Sequence, residues 1–162
     1  MFSKSLSEYV AFQKPILILI TAVWLLRLVL SMAGVSVSGA KFVSVTGVLI
    51  LGALYYGWAV GQKSFGSLKQ LYGLNLIQGV FSQTLVAIAI VIAIMVGQDN
   101  IYTIPEFYPP SQGNSPLGLP PDGKNFGHAI AHIVLAGAIF VPILGWLLGS
   151  LVLLVSRKSR AA

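Results

Sequence analysis

Cysteine is absent from this 162-residue chain, which excludes disulfides, a thiolate nucleophile, an iron–sulfur cluster and any cysteine-based zinc site. Charge is scarce as well. Only 9% of the residues are charged, against about 25% in ordinary soluble domains, so the chain is not a water-soluble globule. Intrinsic disorder is excluded by the opposite property, since 56% of the residues are hydrophobic and a disordered chain needs low hydrophobicity and high charge. The acids number four, Glu8, Asp99, Glu106 and Asp122, and the histidines two, His128 and His132. There is no acid pair inside an apolar stretch, no nucleophile beside a base and no glycine-rich phosphate loop. An enzyme site normally shows more polar convergence than this.

What fills the chain instead is apolar length. Stretches at 15–34, 41–61, 74–96 and 128–155 each suffice to cross a hydrocarbon core of about 30 Å at about 1.5 Å per helical residue. They predict an all-α integral membrane protein with a single domain over residues 1–162. Its four transmembrane helices form an antiparallel bundle, with a long Pro-rich outer loop at 97–127 between the third and fourth. Pro15 stands at the start of its stretch, where a missing N–H costs little. Pro142 lies inside the fourth and predicts a kink there.

The net charge of +6 points to topology, not to nucleic acid, once the basic residues are located. Lys4, Lys14, Lys63, Lys69, Arg157, Lys158 and Arg160 fall on the side of the N-terminus, and only Lys41 and Lys124 on the other. That positive-inside bias predicts both termini in the cytoplasm. A bacterial inner (plasma) membrane is the simplest setting. Val37-Ser38-Gly39-Ala40 is cleavage-like, but the preceding run exceeds the about 7–15 residues of a signal h-region and contains Arg27, so it reads as a span. Residues 1–14 carry Phe2, Leu6, Tyr9 and Val10 at helical spacing and predict a short helix on the inner surface. Phe65, Leu68 and Tyr72 beside Lys63 and Lys69 predict an interfacial anchor of the same kind, both facing the lipid bilayer.

The outer loop holds six of the eight prolines and three of the four acids, Asp99, Glu106 and Asp122. Loops above about 15 residues without regular structure are usually functional or disordered. Ile101, Tyr102, Phe107, Tyr108 and Phe126 give this one enough apolar surface to form an ordered cap, and Pro121-Asp122-Gly123 reads as a turn. Small residues recur on three spans: Ala53, Gly57 and Gly61; Gly79 and Ala87 beside Gln83; Gly137, Gly145 and Gly149. Such residues let helices approach closely in lipid, either within the bundle or in a homo-oligomer.

Four positions could carry chemistry inside this frame. His128 and His132, one helical turn apart, share a face and could reach one zinc, copper or nickel ion, with an outer-loop carboxylate completing the site. The alternative is two interfacial histidines bonded to water, headgroups or loop backbone. A haem would require a further ligand, because two histidines on one helix side cannot occupy opposite axial positions; Met32 and Met95 are the candidates. The H-x-x-x-H spacing also occurs in membrane desaturases and hydroxylases, which need further histidine clusters that this chain lacks. Arg27 lies about 18 Å into the first span, where a charge costs at least about 2.5 kcal/mol and must face the bundle or snorkel outward. Gln83 lies about 13 Å into the third span and serves as an inter-helix hydrogen bond or a transport ligand. Of Tyr55 and Tyr56, deep in the second span, at least one hydroxyl needs a partner.

Pro105-Glu106-Phe107-Tyr108 resembles, with one substitution, the Pro-Glu-Trp-Tyr signature at the outer quinol site of cytochrome b. The flanking residues do not follow that family. The resemblance implies that Glu106 would accept a proton from a quinol.

Three functions are compatible with these features. The first is a non-catalytic accessory, scaffold or self-assembling subunit of a larger membrane complex. The second is a small oligomeric transporter or channel working through Arg27 and Gln83. The third is a metal- or haem-binding redox subunit built on His128 and His132. None involves nucleic acid.

Overall fold

The computed structural model describes residues 4–36, 43–63, 65–103 and 123–161, with side chains through residue 156. Four apolar helical stretches make the chain a multi-pass membrane protein: Leu6–Met32, Val45–Gln62, Leu68–Val96 and Phe126–Ser156. No strand occurs among the described residues.

Helix α1 (Leu6–Met32) begins with a capping box. The Ser5 hydroxyl accepts the Glu8 N–H at 3.3 Å, and the Glu8 carboxylate accepts the Ser5 N–H at 2.7 Å, so two orphan donors are satisfied at once. The helix then runs on through Pro15 as 27 continuous residues. A separate surface helix at the N-terminus is therefore not what forms. Contacts on the first three turns explain the continuity. Tyr9 and Phe12 pack on Phe65 with ring centroids 5.6 and 4.0 Å away, and Gln13 is fully buried where it meets Tyr56.

Helix α2 (Val45–Gln62) is capped by Ser44, whose hydroxyl accepts the Gly47 N–H at 3.1 Å. Helix α3 (Leu68–Val96) starts with a second capping box, Ser67 with Gln70, and ends at Gly97. Gly97 has φ 73°, the left-handed conformation that closes a helix and that a side chain would oppose.

The fourth span changes its winding. Helix α4 (Phe126–Ala131) passes into a π-helical segment, His132–Phe140, and then into α5 (Val141–Ala161). Pro142 supplies the reason: it has no N–H for the carbonyl one turn back, and its ring crowds that turn. The wider π turns ahead of it absorb the mismatch that the sequence predicted as a kink.

Helix α3 is the centre of the bundle and touches every other helix, whereas α1 and the fourth span do not touch each other among the described residues. The small-residue stripes make the close crossings. A Cβ on Gly57 would strike the backbone carbonyl of Gly149, and one on Gly79 would strike that of Gly137. These stripes are thus engaged inside the bundle, α2 against α5 and α3 against the π segment, which is the packing that lipid favours. Two apolar clusters form the core. One, in the half that holds the first turns of α1 and the last turns of α5, includes Tyr56, Leu71, Leu74 and Leu153; the other, at the long-loop end, includes Trp24, Leu28, Ile90 and Ile101.

Candidate functional site

The loop end is closed by a short run of backbone and side-chain bonds. Asn100 Nδ2 donates to the Ala89 carbonyl at 2.6 Å, and Asn100 Oδ1 accepts the Tyr102 N–H at 2.9 Å. Ile101 and Tyr102 are buried, as a loop lying down on the bundle requires. The two described ends of the loop also meet. Lys124 pairs with Asp99 at 3.2 Å, and Gly123 approaches the Thr103 carbonyl so closely that a Cβ would not fit. Pro105, Glu106, Phe107, Tyr108 and Asp122 lie outside the described residues.

Asn125 caps α4, its Oδ1 accepting the His128 N–H at 2.7 Å. This places His128 in the first turn, under Gly123, and His132 one turn further along the same face. The rings stand 4.8 Å apart at 32°, with their Nε2 atoms only 3.1 Å from each other. Both Nδ1 atoms point the other way, toward oxygen. His128 Nδ1 lies 3.0 Å from the Gly123 carbonyl and His132 Nδ1 2.7 Å from Gln83 Oε1. His128 is buried, with 5% of its surface exposed.

Proton accounting gives this geometry its meaning. A carbonyl oxygen only accepts, so His128 carries its proton on Nδ1 and turns a bare Nε2 inward. The same holds for His132 while Gln83 turns its oxygen, and not its N–H, toward Nδ1. Two lone pairs then confront each other at 3.1 Å, an arrangement that a cation between them satisfies. With metal–nitrogen bonds of about 2.0–2.1 Å, a 3.1 Å separation sets the N–metal–N angle at about 95–100°. That suits tetrahedral, square or octahedral coordination and excludes a linear two-coordinate ion. Histidine ligands whose far nitrogen is held by a carbonyl or amide oxygen are the usual outer shell of such sites.

The crossing of Gly79 and Gly137 explains why Gln83 reaches His132 at all. A Cβ on Gly137 would sit 3.1 Å from Gln83 Cβ, so the backbones of α3 and the π segment lie in contact there. Gln83 makes the inter-helix hydrogen bond expected of a mid-span amide, and its partner is a histidine.

The remaining predicted residues are placed elsewhere. Arg27 is buried at 5% exposure, with Cζ 5.6 Å from the centre of the Tyr102 ring; it faces the bundle and does not snorkel. Burial pushes the Tyr102 phenol up to about 12, partly offset by the Arg27 charge, so its hydroxyl stays protonated at neutral pH. Asp99 is engaged by Lys124 and lies 3.1 Å from the Thr103 hydroxyl. No third His, Asp or Glu joins the histidines among the described residues. Met32 and Met95, the expected second haem ligands, are exposed at 47% and 80%.

Sequence reasoning did not single out Gln13, Asn75 and Gln78, all buried in the half of the bundle near the termini. The Tyr56 hydroxyl donates to Gln13 Oε1 at 3.2 Å, and Gln78 Nε2 donates to the Leu49 carbonyl at 3.0 Å. For Asn75 and Gln78 the available signal was the recurrence of polar residues on α3 at positions 75, 78, 82 and 83. Compared with known protein families, curated proteins and solved structures, the chain matches none.

Proposed function

We propose that this protein is a non-catalytic, membrane-embedded metal-binding subunit in which His128 and His132 together hold one divalent transition-metal ion. The observation that carries this reading is the pair of Nε2 atoms 3.1 Å apart with both Nδ1 atoms facing oxygen. Imidazole nitrogen suits zinc, copper, nickel and cobalt in their divalent states. Convergence at about 95–100° argues against a haem, whose two axial ligands stand opposite each other on the iron.

Two protein ligands leave coordination positions for water or for a side chain of a partner subunit. Closed four-ligand sites are structural, whereas sites with open positions exchange their ion or act through it. The reading is therefore an accessory subunit that holds an exchangeable ion for a larger membrane complex. Arg27 serves it by fixing Tyr102 over the bundle end through a cation–π contact. The excess of basic residues on the terminal side supports cytoplasmic termini and a site near the opposite face of a bacterial plasma membrane.

Equilibrium dialysis of the detergent-purified protein against Zn²⁺ tests the proposal. One ion per chain is expected, with binding lost in His128→Ala and in His132→Ala while helicity is kept. Absence of saturable binding, or binding that survives both substitutions, would overturn it.

A further inference from the structure

We infer that Gln83 decides which nitrogen of His132 carries the proton and, resting on the metal reading above, that it thereby opens or closes the pair to a cation. The primary amide is the one partner in this network that can present either an acceptor or a donor to His132. At His128 Nδ1 the partner is the Gly123 carbonyl, 3.0 Å away, which only accepts and so favours the proton on Nδ1.

Two arrangements of the same atoms follow. With Gln83 Oε1 toward His132 Nδ1, as at 2.7 Å here, the proton sits on Nδ1 and both Nε2 lone pairs face one point. With the amide rotated by half a turn, its N–H donates to His132 Nδ1 and the His132 proton sits on Nε2. That proton then bonds to His128 Nε2 across the same 3.1 Å contact. The second arrangement is a closed neutral chain from Gln83 through both histidines to Gly123, with every donor and acceptor matched and no room for an ion between the rings. Passing from the closed arrangement to the open one removes a proton from His132 Nε2 and adds one to Nδ1, so no net proton is taken up or released.

The buried setting makes the choice sharp. Gln83 is 9% exposed, and an unmatched polar group at such a place is costly. Either arrangement therefore requires the amide and the ring to agree. The cation selects the open one because only it offers two bare Nε2 atoms. Gln83 is a positioning residue in this scheme, touching the ion only through His132.

The test combines ¹⁵N magnetic resonance of histidine- and glutamine-labelled protein in lipid bilayers with Zn²⁺ affinity. Without metal the closed arrangement is expected, with the Gln83 amide rotated by half a turn from its orientation here, its N–H bonded to His132 Nδ1 and the His132 proton on Nε2. With Zn²⁺ the proton is expected on Nδ1, while His128 keeps its proton on Nδ1 in both states as an internal control. Gln83→Met, nearly equal in volume, is expected to bind Zn²⁺ about tenfold more weakly or worse, in the range typical of outer-shell losses. Gln83→Glu, which keeps an acceptor for Nδ1–H, is expected to restore wild-type affinity or exceed it. An unchanged His132 tautomer on adding Zn²⁺, or equal affinity in Gln83→Met and wild type, would overturn the assignment. If Zn²⁺ fails to bind the wild-type protein, the metal reading falls. The metal-free tautomers then judge Gln83 alone: a proton on His132 Nε2 upholds its role and one on Nδ1 refutes it.

Discussion

At the terminal end of the bundle the Tyr56 hydroxyl donates to Gln13 and Trp146 donates to the Leu68 carbonyl, and nearer the middle Gln78 donates to the Leu49 carbonyl. Each is one donor on one acceptor, tying two elements together. At the loop end, Gly123, His128, His132 and Gln83 form one linked series whose central contact joins the two Nε2 atoms at 3.1 Å. The amides of the terminal end are not even fully used: Gln13 Nε2, Asn75 Oδ1 and Gln78 Oε1 have no hydrogen-bond partner among the described residues. They behave as inter-helix fasteners that accept an incomplete match. In lipid such bonds are individually modest, averaging about 0.6 kcal/mol in measured cases. The loop-end series has the opposite character: its one adjustable contact, between the two Nε2 atoms, is where the proposed ion would sit.

Substitutions should separate the two ends cleanly. The largest effect is expected from His132→Ala, which should lower Zn²⁺ affinity by more than about 100-fold while leaving detergent unfolding nearly unchanged, since removal of one of two ligands exceeds any outer-shell loss. A comparable loss of thermal stability would instead make the pair part of the packing. Next comes Gly57→Leu, where the new side chain meets the Gly149 carbonyl. It should destabilise the bundle by about 3 kcal/mol, read as a lowered unfolding midpoint, and leave the Zn²⁺ stoichiometry at one per folded chain. Gln78→Leu removes a single fastener and should cost about 0.6–1.7 kcal/mol, with no change in Zn²⁺ affinity. A metal effect there would mean that the two ends are coupled through α3. The smallest change is expected from Asp99→Asn, whose carboxylate is 56% exposed in its pair with Lys124; a stability change below about 1 kcal/mol is expected for such a surface pair. A loss of Zn²⁺ binding in Asp99→Asn would place that carboxylate at the ion and refute its present assignment.

The fold was almost wholly legible, because four long apolar runs in a nearly uncharged chain admit few other solutions. Element ends were less so. The continuation of α1 back to Leu6 depends on contacts of Tyr9 and Phe12 with Phe65, some 50 residues away, and no local pattern encodes such a partner. The winding change at His132–Phe140 was legible only as a proline defect, because whether a helix kinks or widens depends on what packs beside it. Spacing alone placed His128 and His132 on one face. It could not show that both far nitrogens are held by oxygen, since Gly123 comes from a loop and Gln83 from another helix. The choice for Arg27 between snorkelling and facing inward depends on Tyr102, which comes from the loop and not from any local pattern.

The central claim is that the two Nε2 atoms converge on one ion, and X-ray absorption at the zinc edge of the Zn²⁺-loaded protein tests it most directly. The account predicts two imidazole nitrogens per ion at about 2.0–2.1 Å, the remaining ligands being oxygen, and loss of one imidazole shell in His128→Ala. A wild-type spectrum showing oxygen ligands alone, or the same imidazole count in His128→Ala and wild type, would contradict it.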